Sequence, residues 1–375
     1  MKKNNLLVLI LTLVLAFGVF AACEHLPQDP EEPEVTYGIP VAEVGRYIKD
    51  ADVIDDGETR ILLYTTNGES GEDDNVIAIR TASYVEENGW LYGDESIAVV
   101  GDAEGWDEFI GSASIVKGAF EYGDVSYGWL IAYCATANAN DTQMEIGLAV
   151  AAEPDGEWTK VGEKAFVEFD EKVYGTGMVG CYAPSLVNLN GESAIRLYYS
   201  YADAYGHFAR FVDFNAADLD VLYTEAAAKD VNLISGTVQV PTNGNLSGGD
   251  AALMFPNADF AHDKATGTVY AVKDYSPAPA TKPNYADRIE LGKIAESEFY
   301  TVELLDGWQT VSLWDFSNTP DGAYERLYSA CVVADAYGCI DSTAAIEIFY
   351  NSCEIEADNA DWMFTQNLYT FTVEA

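Results

Sequence analysis

Ala51-Asp52-Val53-Ile54, Ala113-Ser114-Ile115-Val116, Pro184-Ser185-Leu186-Val187, Ala258-Asp259-Phe260-Ala261 and Ala330-Cys331-Val332-Val333 are five copies of one pattern. A small residue or proline comes first, then Asp, Ser or Cys, then two mostly hydrophobic residues. The gaps between the second residues are 62, 71, 74 and 72. That is too long for a solenoid and suits a four-stranded propeller blade with decorated loops. Each copy leads into a second run: 61–65, 130–133, 195–199, 269–272 and 346–350. A third run follows at 76–79, 146–150, 208–212, 289–292 and 368–371. These runs are β-branched and aromatic and are bounded by Gly, Asp and Asn, as strands and hairpins are. No stretch of helical period competes with them. The fold class is therefore all-β, and the expected architecture is a five-bladed β-propeller. The last blade reaches Ala375 after three strands, so an N-terminal strand around residues 41–48 is expected to close the ring and cover the open edge. A propeller sets the same position of every blade around one axial funnel, which makes the second residue of the repeat the place to look for function.

The chain opens with Met1-Lys2-Lys3-Asn4-Asn5, an apolar run from Leu6 to Phe20, and Ala21-Ala22-Cys23. A cationic start, a short hydrophobic segment and small residues before a cysteine describe a lipoprotein signal over 1–22, with Cys23 as the lipidated residue. Residues 23–35 are acidic and proline-rich and cannot bury enough surface to fold, so they read as a tether. Residues 36–375 read as one propeller domain. The expected location is the cell envelope, by a lipid anchor. Glu24 after Cys23 points to the outer membrane if the source is didermic.

Removing Lys2 and Lys3 with the signal leaves 17 basic against 62 acidic residues, a formal charge of −45. Nucleic acid is excluded as a partner, because binding it requires basic contacts that release counterions. The same field repels anionic membrane surfaces, so membrane contact is expected through the lipid alone. A neutral ligand fits best, and the 24 Tyr and 7 Trp suit sugar rings as well as blade cores. A monomer is expected. Besides Cys23 the chain holds Cys134, Cys181, Cys331, Cys339 and Cys353, with no metal-ligand spacing. Cys331 and Cys353 lie at opposite ends of a predicted hairpin, which makes them a candidate disulfide, with buried free thiols as the alternative. His25, His207 and His262 are scattered, against a His-rich zinc site. No cofactor is expected, although so acidic a chain is compatible with a structural calcium ion.

Ala51-Asp52-Val53, the run Gly111–Gly118, Glu145–Ala151 with Gly156-Glu157-Trp158, and Tyr182-Ala183-Pro184-Ser185 resemble the five-bladed propellers of the furanosidase superfamily. Arabinanases and xylosidases of glycoside hydrolase family 43 are its best-known members. The resemblance implies an Asp of the first blade as general base, a second Asp that tunes it, and a Glu as acid, all at the funnel mouth. Asp52 matches the first position. The chain then departs from the pattern: Ser185 stands where an Asp is expected in the third blade, and Asp259 where a Glu is usual in the fourth.

Glycoside hydrolysis needs two carboxyl groups flanking the bond. One reading makes Asp52 the base and Asp259 the acid, with Asp203 completing the set. A second makes the funnel a glycan-binding site without turnover, contacted by Tyr182, Ser114, Ser185, Asn257 and Trp106. In a third, Asp52 and Asp259 only bond backbone amides where strands begin. A propeller serving as a protein-interaction scaffold is the remaining class. Glu145 and the acidic loop Trp106-Asp107-Glu108 are secondary candidates.

Overall fold

Sequential hairpins build five sheets, each running outward from its copy of the repeat. The computed structural model describes residues 39–40, 42–68, 75–203, 206–223, 255–275, 286–298, 308–320, 323–355 and 361–374. The signal segment, Cys23 and the tether lie outside the described residues. Blade one comprises β1 (Lys49–Asp55), β2 (Thr59–Asn67), β3 (Asn75–Val85), β4 (Gly89–Tyr92) and β5 (Ser96–Val100). Blade two comprises β6 (Phe109–Tyr122), β7 (Val125–Thr136), β8 (Glu145–Ala151) and β9 (Thr159–Val161). In blade three β10 (Gly180–Asn188), β11 (Ala194–Asp203) and β12 (Gly206–Asn215) are described. Blade four holds β13 (Asp259–Asp263), β14 (Thr268–Tyr275), β15 (Arg288–Ala295) and β16 (Gln309–Asp315), and blade five β17 (Arg326–Val332), β18 (Ile346–Cys353) and β19 (Asn367–Val373). All pairings within the sheets are antiparallel between chain neighbours, apart from β5, which pairs with β3.

The uninterrupted apolar runs follow from the ring. Successive side chains of a strand point to opposite faces, and here each face meets another blade. In β2, Ile61 and Leu63 join the core between blades one and two. Leu62 and Tyr64 join the core between blades five and one. In β7, Leu130, Ala132 and Cys134 face blade three while Ile131, Tyr133 and Ala135 face blade one. Further cores fill the junctions of blades three and four and of four and five. Leu62 and Leu63 are fully buried, each contributing about 1.5–3 kcal/mol by removal from water.

Two expectations are corrected. Residues 42–48 form no strand: Arg46 N–H bonds Glu43 O at 2.9 Å, and Gly45 takes φ +81°, a turn that ends any extended run. Tyr47 and Ile48 instead bury against blade five, where Asn351 Nδ2 donates to Ile48 O at 2.7 Å and the Tyr47 ring meets Phe364. The ring closes on β1 itself, through Asp55 N–H to Ala334 O at 2.8 Å. The Cys331–Cys353 disulfide also does not form, because Cys331 lies opposite Phe349 and Cys353 opposite Arg326 on the hairpin. All five described cysteines are free and buried.

Candidate functional site

The second residue of four of the five repeats makes the same bond. Asp52 Oδ2 accepts the Ile115 N–H at 2.7 Å, and Ser114 Oγ accepts the Leu186 N–H at 2.9 Å. Ser185 Oγ accepts the Phe260 N–H at 2.9 Å, and Asp259 Oδ2 accepts the Val332 N–H at 2.8 Å. In the fifth repeat Cys331 lies beside the Val53 N–H, the corresponding donor, without a hydrogen bond of the same kind. In every bond the donor is the third residue of the next copy. A short acceptor side chain is thus required at this position, since a buried amide left unpaired costs about 1–3 kcal/mol.

The five positions differ in what else they do. Ser114, Ser185 and Cys331 are buried, whereas Asp52 and Asp259 keep partial access to solvent. Both acids line an axial cavity of about 30 Å³, enough for one water, together with Asp50, Ser112, Asn257 and Ser329. Burial pushes the Asp52 carboxyl up to about 6 against the opposing pull of the Ile115 amide and Ser114. Burial, and then the charge of Asp52, push Asp259 up to about 7. The two acids therefore sense each other across the funnel.

Two residues ahead of the ring stand Asp50, Ser112, Ala183, Asn257 and Ser329, and all five line the cavity. Asp50, Ala183, Asn257 and Ser329 have φ between +46° and +52°. In blades one, two, three and five the pairing register slips next to them. These are β-bulges, which turn the start of each inner strand toward the axis. Asp and Asn tolerate this backbone region, but Ala183 has no side chain that compensates. Ala183→Gly is expected to stabilise the fold by roughly 1 kcal/mol in urea unfolding.

Asp274 at the end of β14 lies behind this layer, and no sequence pattern singled it out. It is buried, and accepts from Asn257 Nδ2 at 2.7 Å and from the Ser329 N–H at 2.6 Å. Burial raises its carboxyl to about 7, with Asp50 adding to the rise. Ser329 Oγ donates to Asp50 Oδ1 at 2.5 Å, so Asp274 holds two lining residues, one of which holds Asp50. A carboxyl raised in the folded state favours folding most below its unfolded value near 4, and that stability is lost as pH rises toward 7. Asp274→Asn imitates the protonated acid. It is expected to match wild type near pH 4 and to exceed it by about 2–3 kcal/mol at pH 8, read from melting scans at both pH values.

The other sequence candidates fall elsewhere. Tyr182 bonds His207 Nδ1 at 2.5 Å and does not line the axial cavity. Trp106 stacks on Tyr133 inside blade two, and Asp107 is buried between Tyr133 Oη at 3.0 Å and Lys160 Nζ at 2.5 Å. Neither belongs to the funnel. Glu145 accepts the Phe169 N–H at 2.7 Å, a local structural bond. Asp203 ends β11 opposite Gly206, and its side chain lies outside the described residues. His262 is buried against Tyr198 Oη at 2.6 Å. Among the described residues no group of three or more His, Cys, Asp or Glu is arranged to hold a metal ion.

No family model and no curated protein matches this sequence. Solved structures do match. The catalytic domain of the α-L-arabinofuranosidase of Coprinopsis cinerea superposes with a TM-score of 0.55 at 10% identity, over 89% of this chain and 94% of that one. The α-L-arabinofuranosidase of Lactobacillus brevis gives 0.54 at 11%, over 90% and 92%. The endo-arabinase of Bacteroides thetaiotaomicron gives 0.51 at 13%, over 90% and 97%. The chain, a five-bladed β-propeller, shares the overall fold of these two arabinofuranosidases and the endo-arabinase.

Proposed function

We propose that the protein is a glycoside hydrolase acting on a neutral poly- or oligosaccharide, exported and held at the cell envelope through Cys23. The observation that carries this reading is the pair Asp52 and Asp259: solvent-reaching, facing one cavity, and raised to about 6 and about 7. Hydrolysis needs one carboxyl that holds its proton at working pH and one that has lost it. The resemblance that sets the general base on the first blade leaves Asp259, on the fourth, to hold the proton for the leaving oxygen. Asp52 is then the base toward water, or the nucleophile. The amide bonds fix one oxygen of each carboxyl and so orient the other. The likeness in fold to α-L-arabinofuranosidases and an endo-arabinase supports the substrate class.

A second reading, glycan capture without turnover, is favoured by one observation. Ser114 and Ser185 make the same ring bond as the acids, so the bond alone does not call for catalysis. Sugar release by the mature protein from arabinan, xylan, mannan and fructan oligosaccharides separates the two. Release from one of them supports hydrolysis. Binding of one without release assigns the funnel to capture.

A further inference from the structure

A cavity of about 440 Å³ lies between blades two and three and shares no lining residue with the axial funnel. Its size falls within the range of about 300–1,000 Å³ that small-molecule sites occupy. Phe166, Phe169, Tyr174 and Tyr223 supply aromatic faces, and Arg210 supplies the charge. Arg210 sits on β12 between Phe208 and Val212, two residues of the core between these blades, so its side chain leaves the strand on the same face. Its guanidinium carbon lies 4.3 Å from the Tyr201 ring centroid and 5.4 Å from that of Tyr174.

The acids around the cavity each have a partner of their own. Glu168 is paired with Lys164, Asp170 accepts the Lys172 N–H at 2.8 Å, and Glu171 accepts from Thr176 Oγ1. Arg210 is half-buried and forms no ion pair among the described residues, in a chain with 62 acidic against 19 basic residues. A planar guanidinium held in place by two tyrosines is pre-set for a bidentate carboxylate. We propose that this cavity is a second ligand site that takes a carboxylate-bearing sugar ring, stacked on the aromatic faces and anchored by Arg210. The sugar part of this assignment rests on the carbohydrate function proposed above, and the carboxylate part on Arg210. Glu168, Asp170 and Glu171 also line the cavity but are exposed to water, whereas Arg210 is half-buried and acts on the ligand at contact distance.

Isothermal titration of the full-length protein with short oligomers of galacturonic acid, and with the same oligomers methyl-esterified, tests the assignment. The acid form is expected to bind at least about 10-fold more tightly than the ester, a difference of about 1.4 kcal/mol. Arg210→Met should erase that preference. Equal binding of acid and ester, no binding of either by wild type, or an unchanged preference in Arg210→Met overturns it. If a melting scan shows Arg210→Met unfolded, Arg210→Lys decides: a preference reduced at least threefold supports the site, and wild-type preference refutes it. The readout differs from release of neutral sugar, so the funnel and this cavity fail separately.

Discussion

Asp52→Asn and Asp259→Asn are each expected to lower sugar release by roughly 10²–10⁴-fold, the range that a general acid or base supplies. Both variants should melt close to wild type. Asparagine keeps the carbonyl oxygen that accepts the interblade amide, so the Ile115 and Val332 N–H groups stay paired. It removes only the capacity to give or accept the proton that hydrolysis must move, or to attack as a nucleophile. Asp52→Ser sharpens the test, because Ser114 and Ser185 show that a serine at this position sustains the ring. Initial rates and thermal scans on the same samples check it. Undiminished release in a folded Asp52→Asn would remove Asp52 from the reaction.

Lys273→Met is expected to cost about 3–5 kcal/mol in urea unfolding, the cost of leaving a buried charge uncompensated. Lys273 and Glu290 face each other across β14 and β15, 4% and 7% exposed, with Nζ to Oε2 at 3.1 Å. The ammonium also lies 4.6 Å from the Phe255 ring centroid, and Glu290 Oε1 accepts from Thr310 Oγ1 at 2.5 Å. Removing the cation strands the carboxylate among apolar neighbours. Lys273→Met combined with Glu290→Leu should recover most of the loss, since well-packed apolar groups often replace a buried pair at no net cost. A double variant as unstable as the single would show that the lysine acts by packing and not by charge.

The strands were legible because each inner and middle strand buries both faces, which writes continuous apolar runs such as Ile61-Leu62-Leu63-Tyr64 into the chain. The repeat position was legible for a related reason: a ring bond demands Asp or Ser at a fixed place in four of the five copies. The layer lining the cavity was legible at Asn257 alone, because Asp50, Ser112, Ala183, Asn257 and Ser329 share a place ahead of the ring, bulged in four blades, and not a residue type. Asp274 was hidden for a different cause. It belongs to a second strand, and only the register of β14 brings it behind Asn257 and Ser329. The closing strand was misread because the turn at Gly45 breaks a segment that reads as extended. Arg210 left one trace in the sequence, a lone cation within Phe208-Ala209-Arg210-Phe211-Val212, too common a pattern to mark a site.

The ring of four interblade bonds, completed by the contact of Cys331 with Val53, also sets an order of assembly. Its first four steps join residues 63, 72, 75 and 73 apart, so each can form as soon as the next blade emerges. The last step joins Cys331 to Val53, nearly the length of the domain. The longer loop adds only about 1 kcal/mol of closure entropy, so the delay comes from synthesis. At 5–20 residues per second, roughly 15–60 s separate the appearance of Val53 from that of Cys331. Throughout that interval Val53, Leu62 and Tyr64 await the Phe349 and Leu368 side chains that cover them. The first blade made is thus the last to be finished, and nascent chains are most exposed to aggregation along its uncovered face.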